Sequence, residues 1–194
     1  MRYHNITKDD MLNGDGLRVV LWLAACDHHC KGCQNPVAGN PEVGLPFDTV
    51  ARQEIFDQLD KSYIAGITFS GGDPLHPANY PGVFSLAKEI KTRYPEKTVW
   101  LYTGKTWEEV VNKASWILRY TDVLVDGKFE IENKDDTLMW RGSSNQRVID
   151  VQATLRKGKE TKDIMDPVIY CPDHSSETGS ETFSEECYQK EDAS

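Results

Sequence analysis

The chain has 194 residues, 39% of them hydrophobic, which is enough apolar material for one core, and no run approaches the roughly 20 residues of a bilayer span. The net charge of -9 is uneven: residues 157–194 hold 4 Lys against 10 Asp and Glu, while the preceding body holds 18 basic and 21 acidic residues. No Lys/Arg stripe interleaved with aromatics marks a polynucleotide path, and the N-terminus has no signal-peptide pattern, so neither nucleic acid nor membrane is expected as a partner and a cytoplasmic location is.

Leu17 to Ala25 (LRVVLWLAA) predicts a buried strand that delivers the chain into Cys26-Asp-His-His-Cys30-Lys-Gly-Cys33. Asp48 is placed to cap a helix reaching about Lys61, and Ile64 to Phe69 predicts the next strand. Ser70-Gly-Gly-Asp-Pro74 breaks the pattern, and apolar spacing then predicts a helix over Tyr80 to Tyr94, stopped before Pro95. Thr98 to Tyr102 reads as a strand. Thr106 with Glu109 is a capping-box signature for a helix to about Leu118. Asp122 to Val125 and Gln146 to Val151 complete the strands. After about Leu155 the periodicity fades, so a core of residues 1–155 followed by a solvated or disordered acidic tail, 156–194, is expected.

Strands alternating with helices at this spacing imply an α/β fold with right-handed crossovers and a mainly parallel sheet. Ligands of such sheets lie off the carboxyl ends of the strands, where the cysteines, the Gly-Gly turn and Thr103-Gly104 would gather. Trp22, Trp100 and Trp116 read as core residues. Arg18 is open between a site role and a strand-edge charge, and Asn13 to Gly16 between a turn over the site and an ordinary loop.

Five cysteines are an odd number, with three inside eight residues and Cys171 and Cys187 far downstream. That spacing points to metal or redox chemistry before a disulfide framework. Three thiolates from one loop can take three corners of an iron-sulfur cubane and leave the fourth iron open, as a catalytic cluster requires. The alternative is a zinc site completed by His28 or His29, which would make the chain a non-catalytic zinc-binding module. Both histidines are otherwise exposed loop residues, and Cys171 with His174 reads as an incidental pair.

The three-then-two cysteine spacing after a first strand resembles the signature of radical S-adenosylmethionine enzymes. A closer resemblance is to the anaerobic ribonucleoside-triphosphate reductase activating proteins, carried by Asn13-Gly-Asp-Gly-Leu-Arg18, Cys30-Lys-Gly-Cys33-Gln-Asn35, Ser70-Gly-Gly-Asp-Pro-Leu75, Asp126-Gly-Lys-Phe129 and Arg141-Gly-Ser-Ser-Asn-Gln-Arg147. Departures from the wider superfamily are Gly32 before the third cysteine, as in the reductase activators, and Asp73 in place of Glu. Ala24-Ala25 precede Cys26 where the activators often have a glycine.

The resemblance implies an incomplete (β/α) barrel, a 4Fe-4S cluster on Cys26, Cys30 and Cys33, and S-adenosyl-L-methionine as cofactor. Its 5'-deoxyadenosyl radical would generate a glycyl radical on an anaerobic ribonucleoside-triphosphate reductase, with electrons from a donor such as flavodoxin. Gly71 and Gly72 would let backbone approach the methionine moiety, and Asp73 would accept from its ammonium. Thr103 would face the same ligand. Asp126 would lie near the cofactor's carboxylate or a cation, and Lys128 would pair with that carboxylate. A small-molecule enzyme of the 7-carboxy-7-deazaguanine synthase type is the alternative within the superfamily.

Overall fold

Short segments buried on both faces form the middle of one open eight-stranded sheet in the computed structural model, which describes residues 1–172. The strands are β1 (Arg2–Asp10), β2 (Arg18–Leu23), β3 (Leu45–Pro46), β4 (Gly66–Gly71), β5 (Thr98–Tyr102), β6 (Val123–Asp126), β7 (Arg147–Asp150) and β8 (Val168–Ile169), in spatial order β3-β1-β2-β4-β5-β6-β7-β8. The central four, β2, β4, β5 and β6, run parallel. The flanking pairs β1–β3, β1–β2, β6–β7 and β7–β8 are antiparallel, so the sheet is mixed rather than mainly parallel as expected.

The reason for the reversal at β7 is physical. A parallel return needs a crossover, usually a helix, that carries the chain back along the sheet. Between β6 and β7 the only helical stretch is a three-residue 3₁₀ turn, Ile131–Asn133, and the chain re-enters from the end it left.

Side chains of odd and even positions divide between two faces. Val19, Leu21, Leu23, Ile67, Phe69, Val99, Leu101, Leu124 and Ile149 point to one side and form the main core. Helix α1 (Thr49–Leu59) covers it with Ile55, Phe56 and Leu59, and α2 (Tyr80–Arg93) with Val83, Leu86 and Ile90. Asp48 caps α1 by accepting from the Val50 and Ala51 amides. Helix α3 (Trp107–Ala114) starts at the Thr106–Glu109 capping box and tightens into a 3₁₀ turn, Ser115–Tyr120, instead of continuing as one helix. Each such leucine, isoleucine or phenylalanine contributes about 2 kcal/mol on removal from water.

The opposite face carries Trp100, Val123, Val125 and Val148, with Tyr102, Trp140 and Tyr170 packed on them. Arg18 lies at its base with no exposed surface. The guanidinium donates to the Thr68 and Thr98 hydroxyls and to the carbonyls of Asp15, Ile67 and Thr98, at 2.8–3.0 Å, and sits 5.3 Å from the centre of the Trp100 ring. Burial lowers its pKa to about 10. Arg18 therefore starts β2 at the end remote from the cysteines, and Gly14 of the preceding turn abuts Arg18 and Trp100.

Helix α4 (Val151–Thr161) crosses the expected boundary at residue 155, and β8 pairs with β7 beyond it. The first part of the expected tail is thus folded structure. The remainder, with His174 and Cys187, lies outside the described residues. No helix among the described residues is long and apolar enough to cross a membrane.

Candidate active site at the carboxyl ends of the central strands

Strand β2 ends at Leu23, and the next two residues carry the chain to Cys26. The carbonyls of Leu23, Ala24 and Ala25 do not go unpaired: Gly72 N donates to Leu23 O at 2.6 Å, Asn79 Nδ2 to Ala24 O at 2.6 Å and Asp73 N to Ala25 O at 2.8 Å. The Gly-Gly-Asp turn after β4 is in this way sewn to the segment that presents the first cysteine. A Cβ on Gly72 would stand 2.4 Å from Ala25 O, and one on Gly71, whose φ is +95°, would stand 2.6 Å from Leu23 N. Both positions need glycine because the cysteine-bearing backbone passes so close.

Cys26 and Cys30 are half-buried, Cys33 is exposed, and all three are free of disulfides. The loop between them turns through His29 and Gly32, with φ of +50° and +71°. Cys33 N donates to Cys30 O at 3.2 Å, and Asn35 N to Cys33 Sγ at 3.4 Å. Burial pushes the Cys26 thiol up, against a backbone hydrogen bond from His28 that favours the thiolate.

His28 corrects the expectation of an exposed loop residue. Its side chain is only 13% exposed, lies against Gly104 after β5, and places Nε2 2.5 Å from Asp73 Oδ2. Asp27 pairs in turn with His76, 3.1 Å away. Asp73, 3% exposed, also accepts at Oδ1 from the Thr103 hydroxyl at 2.9 Å and from Leu75 N at 2.8 Å. Asp73 and Thr103, expected to face one ligand, thus bond to each other, and His28, one of the two histidines that a zinc site could recruit, pairs with Asp73. Nothing in the sequence marks His28 apart from His29.

Asp126 ends β6 and is buried. It accepts from Trp107 N at 2.6 Å and from Arg147 Nη2 at 2.6 Å and Nε at 3.1 Å, and Arg147 reaches on to Glu108 at 3.2 Å. The hydrogen bond that Arg147 donates to Asp126 leads the effects that raise the Arg147 pKa. The carboxylate of Asp126 is therefore committed to the protein, where sequence reasoning had placed it beside a cofactor group. The periodicity of residues 141–147 contains no sign of this pairing.

Lys128 is exposed two residues on, at the wall of a cleft of about 450 Å³ shared with Gly104, Thr106, Gly127, Asn145 and Arg147. This volume is in the range of small-ligand sites. The cleft adjoins the cysteine loop through Gly104 and His28. Ile131 lies against Gly32, and Gly142 between Phe129 and Gln34, so the Asp126–Phe129 and Arg141–Arg147 segments do converge on the cysteines. A smaller hollow between β1 and α1, about 340 Å³ and lined by Lys8, Glu54 and Lys61, contains none of the expected site residues.

Among the described residues no three His, Cys, Asp or Glu side chains are gathered tightly enough to hold one ion. A cubane makes a different demand, because each thiolate binds a separate corner. The donor set of three free thiols on one turning loop fits that demand.

Residues 12–149 match the family described as a 4Fe-4S single cluster domain. The chain is 43% identical over 148 residues to the anaerobic ribonucleoside-triphosphate reductase-activating protein of Enterobacteria phage T4, covering 76% of this chain and 93% of that one. It is 40% identical over 148 residues to the protein of the same name from Haemophilus influenzae, covering 75% and 96%, and 39% identical over 150 residues to that of Escherichia coli K12, covering 76% and 97%.

Proposed function

Because this chain belongs to the family of anaerobic ribonucleoside-triphosphate reductase-activating proteins, we propose that it installs a glycyl radical in such a reductase, using a 4Fe-4S cluster on Cys26, Cys30 and Cys33 with S-adenosyl-L-methionine at its open iron. The observation that supports this most is the cysteine loop itself: three free thiols, sewn through backbone bonds to the Gly-Gly-Asp turn and flanked by a cleft of small-ligand size. In this reading the open sheet is the wall of an incomplete (β/α) barrel of the radical S-adenosylmethionine type.

A cluster held by Cys26, Cys30 and Cys33 would supply the electron for reductive cleavage of S-adenosyl-L-methionine and so the radical chemistry that acts on the reductase's glycine. The protein's residues hold and orient. Cys26, Cys30 and Cys33 bind the irons. The backbone at Gly71 and Gly72 and the Asp73–Thr103 pair form the shelf for the methionine moiety, and Lys128 meets its carboxylate as a flexible point charge. Asp126 supports that wall through Arg147 and Trp107. We place the protein in the cytoplasm, with flavodoxin as the type of electron donor. We further place the acidic appendage beyond β8.

Anaerobic reconstitution tests the reading. The chain should load about four irons, cleave S-adenosyl-L-methionine on reduction and raise a glycyl-radical signal on the reductase, and Cys26→Ala should lose all three. Full cleavage by that variant would refute the cluster assignment.

A further inference from the structure

We propose that Asn79 is a positioning residue that holds Ala25 in a left-handed conformation and so aims Cys26. The proposal rests on the reading of Cys26 as a cluster ligand. Ala25 has a φ of +71°, a region that a residue with a Cβ adopts only when its surroundings impose it. The residue is buried, follows directly on the Ala24 peptide, and immediately precedes the first thiol. The direction in which the chain enters Cys26 after β2 therefore depends on that backbone angle.

What imposes the angle is visible in the bonds around it. Asn79 stands at the N-cap position of α2, where an asparagine side chain ordinarily accepts from the helix's own free amides. Here it makes no capping bond. The side chain turns the other way and is wholly buried, and its Nδ2 donates to Ala24 O at 2.6 Å and to Asp73 O at 2.9 Å and approaches Ala25 O at 3.5 Å. Its Oδ1 finds no partner among the described residues. With its cap left unmade, the side chain of this buried amide makes its bonds through its nitrogen. That nitrogen ties the peptide before Ala25 to the turn that also receives Ala25 O through Asp73 N.

The latch has a specific genetic signature. Glycine adopts positive φ without help, so Ala25→Gly should make Asn79 dispensable. Iron and sulfide per chain after anaerobic reconstitution should fall by more than about half in Asn79→Ala, stay near the wild-type value in Ala25→Gly, and return in the double variant. In the metal-free protein, Ala25→Gly should raise the melting temperature more in the Asn79→Ala background than in the wild type, a coupling that does not depend on any cluster. Full loading by Asn79→Ala, or loss that Ala25→Gly fails to restore, or equal melting shifts in the two backgrounds, would each overturn the latch. If Asn79→Ala is insoluble, the double variant decides: solubility and loading support the proposal, and insolubility sinks it. A wild-type control that loads no cluster would instead overturn the proposed function, while the melting comparison would still judge Asn79.

Discussion

The two turns that frame the site are held by different physics. After β4, the Gly-Gly-Asp turn is held to the cysteine-bearing segment by backbone carbonyls at 2.6–2.8 Å and by the absence of side chains at Gly71 and Gly72. After β6, the Asp126 turn is held by a charged fork, Arg147, which spans a buried and a half-exposed carboxylate. Steric fit at short range is intolerant of any added atom, whereas an ion-pair network loses one member and keeps the rest. The first turn adjoins the thiols and the second walls the cleft, so the rigid device stands beside the cysteine loop.

Gly72→Ala should cause the largest loss, because the new methyl meets the backbone of Ala25: about 3 kcal/mol, or roughly 6–12 °C in the Tm of the metal-free protein. A loss below about 0.5 kcal/mol would erase the contrast between the turns. Asp126→Asn should cost about 2 kcal/mol in denaturant unfolding, since Arg147 keeps Glu108 but loses its buried partner. Thr103→Val removes one donor to Asp73 while His28 and Leu75 N remain, so about 1 kcal/mol is expected by the same assay.

Glu108 provides the smallest and most diagnostic effect. Burial pushes its carboxyl up, but its own backbone amide, the Thr106 hydroxyl and Arg147 outweigh that and hold it below the ordinary range. A folded-state pKa below the unfolded value means that its contribution is present above about pH 4.3 and is lost as the pH falls through the folded value. Because the side chain is 45% exposed, the contribution is discounted to roughly a few tenths of a kcal/mol and should shrink with salt. Comparing Glu108→Gln with the wild type in unfolding titrations at pH 6 and about pH 3.5 should show the difference only at the higher pH.

The central strands were legible because each carries apolar residues at alternate positions, as Val19, Leu21 and Leu23, Ile67 and Phe69, or Val99 and Leu101, within a short β-rich run; Thr98–Tyr102 matches the expected bounds. Strand β1 was not, since RYHNITKDD is polar along its length, and bulges after Tyr3 and Thr7 interrupt its alternation. Helix α4 escaped notice because Thr154 and Gly158 stand beside Val151 on its buried side, and a threonine and a glycine do not register as a hydrophobic stripe. The cysteine loop and the Gly-Gly-Asp turn could be read as neighbours from strand order alone. The partners chosen by Asp73, His28, Asp126 and Arg147 could not, because which side chains meet across strands distant in sequence depends on register and on the reversed β7. The same limit applied to Arg18: a charge at a strand end reads as exposed or functional, yet hydroxyls and carbonyls from two neighbouring strands enclose it.

That enclosed guanidinium also acts as a clamp. Its five hydrogen bonds reach Asp15 O in the turn before β2, the Thr68 hydroxyl and Ile67 O in β4, and the hydroxyl and carbonyl of Thr98 in β5, so the end of the sheet opposite the thiols cannot splay without giving up several of them together.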